Sequence, residues 1–111
     1  MAQQNRIGRT ATTVRPEDGY TCVRYHYTDV VRFNDDEIIL DTGGWFTQTT
    51  KTRMNQTANQ YGLGFRVYQE DGGWFVMWND DGGSWEPGAI EYEFKGNVLV
   101  IDRHAFAEVP A

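Results

Sequence analysis

Leu63-Gly64-Phe65-Arg66-Val67-Tyr68-Gln69-Glu70-Asp71-Gly72-Gly73-Trp74-Phe75-Val76-Met77-Trp78-Asn79 reads as two extended runs joined by a tight loop. Residues 63–69 and 74–79 flank Glu70-Asp71-Gly72-Gly73, and Gly and Asp close such loops because they tolerate turn backbone. Trp74, Val76 and Trp78 alternate, so they share one face of the second run and suit a core. Further on, Asp80-Asp81-Gly82-Gly83 makes another turn. Residues 89–94 and 98–102 flank Lys95-Gly96-Asn97, a hairpin signal. The second half therefore reads as an antiparallel meander.

The pattern continues toward the N-terminus. Residues 7–14 give a weak first strand, and Pro16-Glu17-Asp18-Gly19 is a turn by composition. Residues 20–33 read as one extended stretch, with Val23, Tyr25 and Tyr27 on one side and Arg24, His26 and Thr28 on the other. Asn34-Asp35-Asp36 turns the chain, and residues 37–41 return as the second arm of a hairpin. One segment has helical spacing. Met54, Ala58 and Tyr61 fall at i, i+4 and i+7, with Thr49 or Thr50 as N-cap and Gly62 as the stop. The expected fold is mainly β (α+β): a twisted antiparallel sheet or small barrel of about five to seven strands, with one short helix near 50–61. It forms a single domain over 1–111, with loose tails at 1–6 and 105–111.

Composition fits that expectation. The 111 residues are 40% hydrophobic and 14% aromatic, enough for one modest core. Twelve Gly beside four Trp, six Tyr and six Phe favour strands joined by tight turns. No apolar run approaches the roughly 20 residues of a membrane helix. Met1-Ala2-Gln3-Gln4-Asn5 lacks the apolar core of a secretory signal. The lone Cys22 cannot form an internal disulfide, and no Cys/His cluster has zinc spacing. A soluble protein in a reducing compartment is expected, with no metal and no cofactor.

The net charge of -6 is unevenly spread. Residues 1–34 carry +2, residues 35–41 carry -4, residues 42–69 carry +3 and residues 70–111 carry -7. A long polyanion would feel the acidic zones, so general duplex binding is disfavoured. A small anion could sit in the basic zone alone. That zone holds Thr47-Gln48-Thr49-Thr50-Lys51-Thr52-Arg53-Met54-Asn55-Gln56, with four threonines, two cations and three amides in ten residues. No carboxylate occurs between Thr42 and Gln69.

A helix starting near Thr50 would point unpaired N–H groups and the positive end of its dipole at an anion. Thr47, Thr49, Thr50, Lys51, Arg53 and Asn55 are the candidate phosphate ligands, and Trp45 the candidate stacking surface for a base. Lys51 and Arg53 in a first turn oppose the dipole by roughly 0.3–1 kcal/mol each unless an anion is bound. The plain alternative is solvated cations on an edge strand. The spacing is not that of a P-loop, since Gly-x-x-x-x-Gly-Lys-Ser/Thr is absent.

Gly-Gly-Trp-Phe occurs at 43–46 and again at 72–75. The flanking residues differ, so recurrent turn chemistry explains it better than a repeat. His26 with Asp29, and His104 after Asp102-Arg103, show no nucleophile at triad spacing. Asn79-Asp80-Asp81-Gly82-Gly83 does not fit a calcium loop. The sequence suggests a binder, not an enzyme.

The run from Ile39-Leu40-Asp41-Thr42-Gly43-Gly44-Trp45 through Thr50-Lys51-Thr52-Arg53-Met54-Asn55 resembles a family of small tailed-bacteriophage proteins. Their shared pattern has the form L-(D/N)-(S/T)-G-G-W-x-T-x-T-T-K-x-R-(I/M)-N, with V-Y-Q following, here Val67-Tyr68-Gln69. The likeness spans roughly residues 28–78 and leaves the acidic second half outside it. It implies a viral origin, hence the host cytoplasm, and no particular activity.

Two functions compete, ahead of a hydrolase or nuclease and of a structural component of the virion. One is a non-enzymatic phage accessory protein that binds a nucleotide, a nucleotide signal of host immunity or a nucleic-acid end through segment 47–56. The other is an acidic inhibitor of a host defence nuclease, anti-CRISPR-like or mimicking nucleic acid, acting through Asp80, Asp81, Glu86, Glu91 and Glu93.

Overall fold

The structure, a computed structural model, describes residues 12–79 and 89–104. In chain order the elements are β1 (Thr12–Glu17), β2 (Tyr20–Tyr25), β3 (Thr28–Phe33), β4 (Glu37–Asp41), α1 (Gln48–Tyr61), β5 (Phe65–Glu70), β6 (Gly73–Trp78), β7 (Ile90–Glu93) and β8 (Val98–Asp102). They form a five-stranded sheet, β1-β2-β3-β4-β8, and a three-stranded sheet, β5-β6-β7. Every pairing is antiparallel. The mainly-β fold with one helix is thus as expected. The single sheet is instead divided in two, and among the described residues neither sheet closes into a barrel.

Local chemistry explains most of the turns. Asp18 and Gly19, and again Asp71 and Gly72, take positive φ and close two-residue hairpins. Pro16 sits within β1, not in the turn, which an edge strand tolerates because it needs no inner N–H. Asn34 Oδ1 accepts from the N–H groups of Asp36 and Glu37, fixing the β3–β4 turn. Residues 7–11, the 80–83 turn and both tails lie outside the described residues.

Two expectations are corrected. Residues 20–33 are a hairpin, not one strand: the chain reverses at His26 and Tyr27. His26 adopts φ +56 without glycine's freedom, so composition gave no turn signal there. Residues 89–94 and 98–102 do not pair with each other. β7 adds to β6, while β8 crosses to β4, where Leu99 and Ile101 stand opposite Leu40 and Ile38. All four are buried, and β4 would otherwise present an uncovered apolar edge.

The helix α1 packs on β5 of the small sheet and on β2 and β3 of the large one. Met54 and Ala58 join Val23, Val31, Phe65, Val76 and Trp78 in one buried cluster that ties the sheets together. Each of the valines, Met54 and Phe65 contributes roughly 1.5–3 kcal/mol through burial. Trp78 is satisfied as well as buried, since its indole N–H donates to Leu63 O at 3.0 Å. Tyr61, expected on the buried face, is 38% exposed and lays its ring on Phe33. Gly62 caps the helix in the left-handed region, as expected.

Candidate functional site

The helix begins two residues earlier than the spacing suggested. Thr47 is the N-cap in extended conformation, and its hydroxyl accepts from Thr50 N–H at 3.2 Å. Lys51 N–H reaches Thr47 O at 3.1 Å. The Gln48 and Thr49 N–H groups then have no acceptor inside the helix, and the first turn contains no acid. The helix end therefore keeps the electropositive character that the sequence implied.

The side chains of the segment part company from there. Lys51 Nζ lies 5.6 Å from the Trp74 ring centre, on the small sheet. The Arg53 guanidinium lies 5.5 Å from the Tyr25 ring centre on the large sheet, and donates to Thr12 Oγ1 at 2.9 Å and Gln56 Oε1 at 3.2 Å. Residues two apart on a helix point in nearly opposite directions, so these cations do not form one cradle. Asn55 faces β5: its amide donates to Val67 O at 2.9 Å and accepts from Val67 N–H at 2.7 Å. It thereby mimics a strand and occupies the β5 edge that β6 leaves free.

Trp45, Thr47 and Thr50 do converge. With Tyr25, His26, Tyr27, Thr28, Val30 and Thr42 they line a cleft of about 360 Å³ between the β2–β3 turn and the start of α1. Val30, Thr42 and Thr50 are buried at its base, whereas Tyr27 is 95% and Trp45 67% exposed. Thr49, Lys51, Arg53 and Asn55 are not among the lining residues. Among the described residues, no carboxylate, lysine or arginine lines the cleft. Its chemistry is that of aromatic faces and threonine hydroxyls, suited to a planar ring with a few polar edges.

The walls are held by short-range bonds. Trp45 N–H donates to Thr42 O at 2.9 Å, and Gly43 N–H donates to Asp41 Oδ1 at 2.8 Å. Gly43 has φ +62, and a Cβ there would stand 2.3 Å from Thr28 Oγ1. Only glycine allows the 43–44 turn to close on the start of β3. Tyr25, His26, Tyr27 and Thr28 were missed as site residues because the turn that projects them was not visible in the sequence.

A second groove of about 290 Å³ shares Tyr27 and Thr28 and adds Asp29, Arg32, Ile39, Asp41 and Gly43. Asp29 accepts from Arg15 at 2.9 and 3.0 Å and from Arg24 at 3.3 Å. The Arg15 hydrogen bonds hold its carboxyl below the ordinary value, against a smaller opposing effect of burial. On β7, Glu91 and Glu93 are exposed on one face. Tyr68 donates its hydroxyl to Glu91, and that bond, with desolvation and the Glu91 charge, pushes the phenol up to about 12. Asp80, Asp81 and Glu86 lie outside the described residues. Among the described residues no three His, Cys, Asp or Glu side chains cluster as a metal site, and no helix is long and apolar enough to cross a membrane.

Compared with curated proteins and with solved structures, the chain has no match. A family model does match, over residues 1–99, well beyond the 28–78 span of the resemblance and through the acidic segment that the resemblance left out. The chain belongs to the Kyanoviridae Gp96 protein family, and is a bacteriophage protein.

Proposed function

We propose that this phage protein is a non-enzymatic binder of a nucleotide-type ligand in the host cytoplasm. Its ring would lie against Trp45 and Tyr27, and its phosphate at the start of α1 beside Thr47 and Thr49. The observation that carries this reading is the pairing of a cleft lined, among the described residues, by aromatic rings and threonine hydroxyls with an acid-free helix N-terminus that opens on it. Lys51 and Arg53 add positive field near the site and do not cradle the phosphate directly. A binder is favoured over a catalyst because the described lining offers hydroxyls and one imidazole, with no carboxylate among the described residues to orient it. Calorimetry with mono-, di- and cyclic nucleotides tests the reading. Binding should weaken by about 1–3 kcal/mol in Trp45→Ala, the worth of one stacked base. No heat with any of them rejects it.

The exposed face of β7 favours a second reading, in which Glu91 and Glu93 help occupy the basic channel of a host defence nuclease. A pull-down from host lysate that recovers a basic nuclease, and loses it on Glu91→Lys with Glu93→Lys, supports that reading over the first.

A further inference from the structure

We infer that the groove beyond Tyr27 and Thr28 binds the sugar of the same ligand, with Arg32 donating to and Asp41 accepting from its hydroxyls. This rests on the nucleotide reading above and extends it. The two openings meet at one corner. Tyr27 and Thr28 line both, and the end of β4 faces both ways, with Thr42 in the cleft and Asp41 and Gly43 in the groove. The corner exists because Gly43 lets the backbone close on Thr28.

Arg32 is the unexplained group in that groove. Arg15, Arg24, Arg53 and Arg103 each hold at least one oxygen. Arg32 holds none: its Nε is buried without a hydrogen-bond partner, and its guanidinium only covers the Tyr20 ring at 4.8 Å. Buried donors are almost always paired, and because the Nε itself is closed off, an acceptor in the groove that Arg32 lines would meet the terminal guanidinium nitrogens.

The neighbouring charges decide which acceptor. Asp29 and Asp41 line the groove as well, and a phosphate there would face two carboxylates. Asp29 is already occupied by Arg15 and Arg24, whereas Asp41 is engaged through one oxygen with Gly43 N–H. A vicinal diol meets this arrangement on both sides, since each hydroxyl both donates and accepts. Carboxylates read ribose hydroxyls in dinucleotide folds for the same reason.

Titrating the full-length protein with AMP and with its 2′-deoxy analogue tests this. AMP should bind at least about tenfold more tightly, the scale of a hydrogen bond to a charged group. The preference should fall to parity in Arg32→Gln and in Asp41→Asn, which keeps an acceptor for Gly43. Tyr27→Ala, at a fully solvated side chain that the fold does not need, should weaken both ligands. Equal binding of AMP and the deoxy analogue by the wild type overturns the sugar subsite and leaves the nucleotide reading standing. Failure of both to bind overturns the two together.

Discussion

Gly-Gly-Trp-Phe is written twice in this chain, and the copies meet opposite fates. At 43–46 both glycines take positive φ, and the chain leaves the turn for the N-cap of α1. Trp45 is then 67% and Phe46 45% exposed. At 72–75 only Gly72 is left-handed, and Gly73 already pairs with Glu70 as the first residue of β6. Trp74 sits opposite Gln69 at 5% exposure. A tetrapeptide does not determine burial; what the following backbone pairs with does. The copies also touch. Phe46 meets Trp74 edge-on at 5.1 Å, and Lys51 covers the same indole. Phe46 precedes the cap and Lys51 is the fourth helical residue, so Trp74 completes the staple that fixes the helix entry. A cation on a ring gains about 0.5–2 kcal/mol, which offsets the cost of Lys51 against the dipole without any anion.

The largest effect separates the two tryptophans. Trp74→Ala should lose about 3–5 kcal/mol of stability in urea unfolding, as a large buried ring leaves a cavity. Trp45→Ala should stay within about 0.5 kcal/mol, as surface changes do, and lose ligand instead. Comparable destabilisation by both would mean that Trp45 is a packing residue and that the cleft is an accident of surface shape.

Asn55→Ala asks whether the helix guards the sheet that buries Trp74. Two bonds to Val67 disappear, leaving its N–H and C=O unpaired at a buried position. Each orphaned group costs about 1–3 kcal/mol, so a loss of at least about 2 kcal/mol is expected from the two. The Val67 amide should exchange faster with solvent while amides of β2 and β3 keep their protection. Unchanged Val67 protection would show that the edge is covered by something other than Asn55.

Gly43→Ala and Gly72→Ala compare the two turns directly. Both residues need left-handed backbone, so each alanine costs about 1–2 kcal/mol. Gly72 faces open space, whereas a Cβ at Gly43 meets Thr28. Gly43→Ala should therefore lower the thermal midpoint further, and should also reduce nucleotide binding by shifting the cleft wall. Equal midpoints would show that Thr28 moves aside freely.

Much of this was legible in the residues. Gly62, the Asn34 turn, the Asp71-Gly72 hairpin and the face shared by Trp74, Val76 and Trp78 follow from local rules, because backbone freedom and alternation act over a few residues. The crossing of β8 to β4 was not legible, since the Lys95-Gly96-Asn97 turn signal is local and β4's need for a partner is not. For the candidate site, Trp45, Thr47 and Thr50 stood out in the Gly-Gly-Trp turn and the threonine run, and the structure brings these three to one cleft, with Thr47 as the cap where Thr49 or Thr50 was expected. Lys51, Arg53 and Asn55 looked like ligands because their own partners, Trp74, Tyr25 and Val67, are distant in sequence. The rim residues Tyr25 to Thr28 were hidden by the left-handed His26.

The smallest effect sets the surroundings of the first turn against those of the second by pH. Asp29 adjoins Thr28, on which Gly43 packs, and its pKa is depressed below the ordinary 3.8 chiefly by its Arg15 bonds. A carboxylate with a lowered folded pKa stabilises fully above the unfolded value and loses that contribution as pH falls through the folded one. Acidification from about pH 5 should thus weaken β1–β3, and hydrogen exchange there should rise earlier in acid than in β5 and β6. Asp29→Asn should remove this part of the slope and leave the Trp74 side as it was. An unaltered slope in that variant would place the acid sensitivity in other carboxylates, and would leave Arg15 and Arg24 as solvated cations whose bonds to Asp29 do not hold the cleft wall.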